Sequence, residues 1–247
     1  MKRISLTLCL AFLTVLFCQA QVAPLKFNKN GEFKIVQFTD IHFQYHNPAS
    51  AIALKRINEV LDAERPDLIV FTGDVVYAPP ADTAMRAVLD CASSRKIPFV
   101  VTFGNHDNEQ GKTRAELYDI IRSMPYNIQP DRGSVESPDY VLTVKSSDGK
   151  KDASVLYCLD SHSYSKLPDV KGYDWLTFDQ VNWYRQQSAA FTAKNNGKPL
   201  PALAFFHIPL SEYNEAASDE NATFPICPCS ASTFCAAWYT KAKECTP

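Results

Sequence analysis

Apolar runs in this chain repeatedly end on residues that bind metals. KIVQFTDIH (34–42) closes on Asp40 and His42, LIVFTGD (68–74) on Asp74, and PFVVTFGNHD (98–107) on Asn105, His106 and Asp107. A fourth run, LPALAFFHIP (200–209), carries His207 near its end. Carboxylate, imidazole and side-chain amide oxygen suit borderline or hard divalent and trivalent ions, and the absence of paired cysteines among them argues against a structural zinc knuckle. The two oxygens of Asp74 can bridge two ions. With Asp40 and His42 on one side and Asn105 and His207 on the other, the set has the make-up of a two-metal site. Such a site stabilises the attacking and leaving oxygens of an in-line displacement when its ions lie about 3.5 to 4 Å apart. The reaction this suits is hydrolysis of a phosphate ester. Each residue alone has a commoner fate: Asp40 or Asp74 as a helix cap, Asn105 in a tight turn, His207 as a hydrogen-bonded core histidine. Their joint occurrence at matching strand ends decides for the metal.

The elements that must carry these tips alternate in kind. Strand patterns over 33–39, 67–73 and 97–104 are interleaved with helical patterns over 50–64, 81–95 and 113–124. In the first helix Ile52, Leu54, Ile57, Val60 and Leu61 fall near helical spacing, with Ser50 as the expected N-cap and Pro66 as the stop. Strand, helix, strand, helix, strand predicts a parallel sheet with right-handed crossovers. In such a sheet ligands bind beyond the carboxyl ends of the strands, where the tips fall. After a polar stretch (125–138), two adjacent strands are expected over 140–144 and 154–160, with Asp148 and Gly149 as the hairpin signal. A helix follows over 177–194, then the strand ending at His207.

At 247 residues, 46% of them hydrophobic, the chain suits one large domain with a substantial core. A net charge of −2 from 25 basic and 27 acidic residues gives no polybasic footprint for nucleic acid. Lys2 and Arg3 precede an apolar stretch from Ile4 to Phe17 and then CQA, the pattern of a secretory signal peptide (1–20) cleaved after Ala20. The apolar run is short for a membrane span, and Phe17 is too bulky beside Cys18 for a lipoprotein signal. The expectation is an exported protein, periplasmic or extracellular, with no transmembrane segment in the mature chain. Export permits disulfides, yet Cys91 and Cys158 stand singly and read as buried inert thiols.

The ordered blocks DIH (40–42), GD (73–74), GNHD (104–107) and HIPL (207–210) resemble those of the calcineurin-like metallophosphoesterase superfamily, and most nearly its secreted branch related to purple acid phosphatases. The resemblance covers roughly residues 33 to 215. It implies an α/β fold, a sandwich of mixed β-sheets flanked by helices, over a domain spanning 21–224. It implies two metal ions, manganese, iron or zinc, with Asp40 and His42 on the first, Asp74 bridging, and Asn105 and His207 on the second. His106, with Asp107 beside it, would face the leaving group of a small phosphate-ester substrate as proton donor or transition-state stabiliser. Purple acid phosphatases proper use a tyrosine three residues after the bridging aspartate as an iron ligand, but they lack the histidine found here at position 42. With His42 present, Tyr77 is expected to be packing or pocket wall. His46 and His162 are expected to be solvent-exposed loop histidines.

The family pattern includes a later Gly-His-x-His block giving one histidine to each metal, and this sequence has no histidine after His207. Instead a tail (225–247) carries Cys227, Cys229, Cys235 and Cys245 and shows no strand alternation. Three readings stand: a disulfide-stapled or metal-binding tail, a truncated family member, or a frameshift, for which the codons of AWYTKAKECT leave room. Loss of the block should weaken metal binding and leave an unpaired sheet edge. The expected function is therefore metal-dependent phosphoric ester hydrolysis. The alternative is a catalytically impaired fragment or a non-catalytic secreted binding protein that keeps the fold.

Overall fold

A computed structural model describes residues 22–210 and the backbone of 238–243. The signal-peptide reading and the cysteines of the tail lie outside the described residues. Among those described, no helix is long and apolar enough to cross a membrane.

The alternation of apolar runs produces the layers. β1 (Glu32–Phe38), β2 (Leu68–Thr72) and β3 (Phe99–Thr102) pair in parallel, in the spatial order β3-β2-β1. The crossovers between them are α1 (Ala51–Glu64) and α2 (Ala81–Ser93); α3 (Arg114–Arg122) follows β3. Because side chains alternate across a strand, Val36, Phe38, Ile69, Phe71, Phe99 and Val101 face these helices and pack on Ile57, Leu61, Met85, Leu89, Leu117 and Ile121. The opposite face offers Phe33, Ile35, Leu68, Val70 and Val100 to a second sheet. β2 is buried along its whole length, as expected of a strand covered on both faces.

The second sheet has the order β4-β5-β6, from β4 (Tyr140–Lys145), β5 (Asp152–Cys158) and β6 (Ala202–Phe205). β4 and β5 form the antiparallel hairpin whose turn holds Gly149 at φ 76°, and β5 pairs in parallel with β6. Tyr140, Val144, Leu156, Cys158 and Phe205 fill the space between the two sheets. On the outer face Val155, Tyr157 and Leu159 meet α4 (Phe178–Lys194) through Trp183 and Phe191. Cys91 and Cys158 are free and buried, as their isolated contexts implied. Burial pushes the Cys158 thiol up to about 12, so it stays protonated and inert.

Three local expectations give way. Ser50 makes no capping bond to α1; its hydroxyl accepts from the Gln44 N–H, while Asn47 caps a 3₁₀ turn (Pro48–Ser50) that precedes the helix. Ile52 is 54% exposed, because only one narrow stripe of α1 reaches the sheet. In the tail, β7 (Trp238–Lys243) pairs antiparallel with β1, which makes the first sheet mixed and covers one of its edges, where the loss of later strands was expected to leave a sheet edge unpaired. Edge pairing is a backbone interaction, so the absence of side-chain alternation did not exclude it.

Candidate metal centre

The parallel pairing puts the carboxyl ends of β1, β2 and β3 side by side, and the backbone there is bent in a way side chains rarely tolerate. Asp40, His42 and Asp74 all adopt positive φ, at 52°, 48° and 51°, the last directly after Gly73 at 86°. Non-glycine residues in that region cost about 1 kcal/mol or more each, and they persist only where neighbours over-determine them. Here the β1 and β2 tips hold one another. The N–H groups of Asp40, His42 and Phe43 donate to the carbonyls of Gly73, Asp74 and Val75 at 3.1, 2.9 and 3.0 Å, and Tyr77 N–H returns to the Phe43 carbonyl at 3.0 Å.

Two glycines allow the tips to approach. A Cβ on Gly73 would sit 2.7 Å from the Gly104 Cα and 2.7 Å from the His207 ring, and one on Gly104 would run into Asp74 itself. Gly104→Ala should therefore displace the Asp74 carboxylate and destabilise the fold by about 1 to 3 kcal/mol, the usual cost of overpacking. Urea unfolding would give the stability loss, and reduced metal uptake by the fraction that remains folded would give the displacement.

Asp107 takes a different position from the one expected for it. Its side chain is fully buried, and both oxygens accept from backbone: Oδ2 from Asp74 N–H (3.0 Å) and Gly104 N–H (2.8 Å), Oδ1 from Val75 N–H (2.8 Å) and Val76 N–H (3.2 Å). It fastens the β2 tip to the β3 tip and turns away from the donor cluster, so the leaving-group role shared with His106 does not suit it. Burial pushes its carboxyl above the usual range, against the pull of the Gly104 and Val76 donors.

Around Asp74 the remaining candidates converge. His42 Nε2 lies 3.2 Å and His207 Nε2 3.3 Å from the same oxygen, Asp74 Oδ2, while Oδ1 accepts the His106 N–H at 2.9 Å. Asn105 Oδ1 is 3.2 Å from His207 Nε2. Donor atoms of His42, Asp74 and His106 lie within 4.8 Å of one another, as do those of Asp40, Asp74 and His207. Asp74 belongs to both trios, which is what a bridging ligand requires. The pairing of the others differs from expectation: Asp40 groups with His207, and His106 stands with His42. His207 Nδ1 lies 2.8 Å from the Thr72 carbonyl and donates to it, which fixes the ring and directs Nε2 at the cluster.

The charges reinforce this grouping. Burial disfavours the Asp74 charge, but hydrogen bonds from His207 and His42 outweigh it and hold the carboxyl well below the usual range. Burial likewise opposes charge on His207, yet Asp74 raises it to about 9, and the Asp74 hydrogen bond also raises His42. A metal taking these nitrogens must displace their protons. Apparent metal affinity of the chain should thus rise by about tenfold per pH unit for each displaced proton, flattening above about pH 9. Competition titration from pH 6 to 10 would check it, and a flat profile would refute the assignment of His207.

Other residues settle by geometry. Tyr77 packs edge-on against His42, with ring centroids 5.0 Å apart. His46 is exposed, as expected. His162 is instead half-buried, with Nε2 2.9 Å from Gln180 Oε1, because the N-terminus of α4 closes over the loop that carries it. Three supporting residues went unread in the sequence. Glu109 Oε2 lies 2.6 Å from His106 Nδ1, a partner three residues on that the GNHDNE spacing could have suggested. The Tyr164 hydroxyl accepts from Asn105 Nδ2 at 2.9 Å. Arg114 donates to the Gly104 carbonyl at 3.0 Å and pairs with buried Asp160, tying the β3 tip to the end of β5. No local signal marked that pair.

The chain belongs to the calcineurin-like phosphoesterase family, whose sequence profile matches residues 33–228. It is 35% identical over 228 residues to "Probable inactive purple acid phosphatase 29" of Arabidopsis thaliana, covering 78% of this chain and 58% of that protein. It is 30% identical over 208 residues to "Phosphatase DCR2" of Saccharomyces cerevisiae, covering 74% of this chain and 36% of the other. The chain thus spans between about a third and three fifths of the length of these relatives. Among solved structures, a dimetal phosphatase from Danio rerio superposes with a TM-score of 0.53 at 14% identity, over 72% of this chain and 70% of that one. At that identity the likeness concerns the fold, and it matches the two helix-flanked mixed sheets described above.

Proposed function

We propose that the chain is a metal-dependent phosphoric ester hydrolase whose two ions are held by Asp40, His42, Asp74, Asn105 and His207. The observation that carries the reading is the position of the Asp74 carboxylate, one oxygen of which lies 3.2 Å from His42 Nε2 and 3.3 Å from His207 Nε2. Carboxylate, imidazole and amide oxygen together fit manganese, iron or zinc. Bound there, the ions would supply Lewis-acid polarisation of a phosphoryl oxygen and stabilisation of the charge that develops in transfer.

The chain's own groups do the rest. Glu109 engages His106 Nδ1, which leaves Nε2 as the nitrogen available to the leaving oxygen, to which it donates from the doubly protonated ring. Thr72 fixes the His207 ring, Tyr164 fixes the Asn105 amide, and Asp107 keeps the two strand tips in register. We assign Asp107 a positioning role. Substrates are small phosphate esters, and the basic n-region and apolar Ile4–Phe17 stretch support export to the periplasm or outside the cell.

The second reading is a protein that keeps the fold without turnover. It draws on the name of the Arabidopsis relative, which calls that protein probably inactive. Metal content per purified chain separates the two. After loading with manganese, iron and zinc separately and washing, elemental mass spectrometry should give about two ions per chain if the first reading holds. Substoichiometric metal would favour the second.

A further inference from the structure

A chain of aromatic rings runs outward from the donor cluster. Tyr77 meets His106 edge-on, with centroids 4.8 Å apart and planes at 87°. Tyr164 lies 6.4 Å from the His106 ring at 72°, and Tyr173 stacks on Tyr164 at 5.8 Å and 18°. The loop carrying the last two is held in place. Tyr164 and Tyr173 form an antiparallel bridge, Ser165 N–H donates to the Gly172 carbonyl at 3.0 Å, and Asp174 N–H donates to the Ser163 carbonyl at 3.0 Å. The bond from Asn105 fixes the Tyr164 hydroxyl.

These rings are oriented but not covered: Tyr77 is 43%, Tyr164 41% and Tyr173 55% exposed. One exposed tyrosine on a surface needs no explanation. Two in ring contact with His106 and a third stacked behind one of them are another matter, since fixed aromatic faces open to solvent are what a planar ligand stacks on.

We propose that Tyr77 and Tyr164 form a subsite for a planar ring on the alcohol side of a phosphate ester, so that the chain prefers aryl to alkyl phosphates. This rests on the phosphoesterase reading, which places the leaving oxygen at His106. Both rings touch that histidine, so a group attached to the leaving oxygen emerges between them. Tyr173 backs Tyr164 and keeps its plane. A nucleoside ester carries its ring beyond a ribose, several bonds farther from phosphorus, and would pass this subsite.

Isothermal calorimetry on the metal-loaded full chain tests the subsite with phenylphosphonate, methylphosphonate and a nucleoside 5′-methylenephosphonate. Phenylphosphonate should bind about five- to tenfold tighter than the other two. Tyr77→Leu, an exposed change that keeps apolar bulk, should cut that preference at least by about half, and Tyr77→Phe, which keeps the ring, should retain it. Equal binding of phenyl- and methylphosphonate would overturn the subsite and leave the phosphoesterase reading standing. So would a nucleoside phosphonate that outbinds the phenyl compound. A chain that binds neither metal nor any phosphonate would overturn both.

Discussion

Asp107→Asn should be among the most damaging single changes in this protein, although Asp107 touches nothing outside the polypeptide. Each of its oxygens accepts two backbone N–H groups, Oδ2 from Asp74 and Gly104 and Oδ1 from Val75 and Val76. Asparagine has nearly the same shape, but whichever oxygen becomes the amide nitrogen, two backbone donors then face another donor. An unsatisfied buried group costs about 1 to 3 kcal/mol, so the expected loss is about 2 to 6 kcal/mol, a large part of the about 5 to 15 kcal/mol of a folded domain. Urea unfolding should show a lower midpoint at an unchanged slope. The folded fraction should also bind metal poorly, because the N–H that orients Asp74 is no longer held. A loss under about 1 kcal/mol would show that the backbone of the two tips needs no such clamp.

Asp74→Asn should cost the fold only the stabilisation that Asp74 shares with His207 and His42, and the site almost everything. The change keeps the shape of the side chain but removes the charge that two donor trios share. Metal affinity should fall by more than about 100-fold, beyond the 10- to 100-fold typical of losing only an outer-sphere partner, and phosphate-ester hydrolysis should disappear. A variant that still binds two ions and hydrolyses would sink the site assignment.

The pH dependence of the metal-free protein gives a second, independent readout. In the wild type His207 is raised to about 9 by Asp74, and the stability it contributes is fully present below its unfolded value near 6.5 and lost as pH rises through 9. Asp74 is depressed, so its contribution is present above about 4 and lost as pH falls further. The pair therefore stabilises most between about pH 4 and 6.5, and its contribution declines from there to about pH 9. In Asp74→Asn that decline should vanish, which thermal unfolding of the metal-free chains at pH 6 and 9 would detect.

Much of the architecture was legible before any coordinates, and particular residues show why. Val36 and Phe38 against Phe33 and Ile35 announce a strand buried on both sides, because strand faces alternate at every residue and the pattern lies within one short stretch. The same locality exposes the tips: Asp40 and His42, Asp74, and Asn105 with His106 each follow an apolar run directly. Hence the alternation of strands and helices and the ordered family blocks could be read from neighbours in the chain, whereas the two-sheet sandwich was what the resemblance implied.

What the sequence by itself determined was therefore which residue types stand at which strand ends. Only the tertiary structure decided where each side chain points. Asp107 looked like its neighbour His106, yet it turns inward because the Val75 and Val76 N–H groups wait there, 32 and 31 residues away in the chain. His207 is aimed by the carbonyl of Thr72, at a separation of 135 residues. Arg114 finds Asp160, Tyr164 finds Asn105, and β1 finds β7, none of them through any local pattern. Element type follows from periodicity among adjacent residues, whereas a side chain's direction follows from partners that become neighbours only once the sheets have packed.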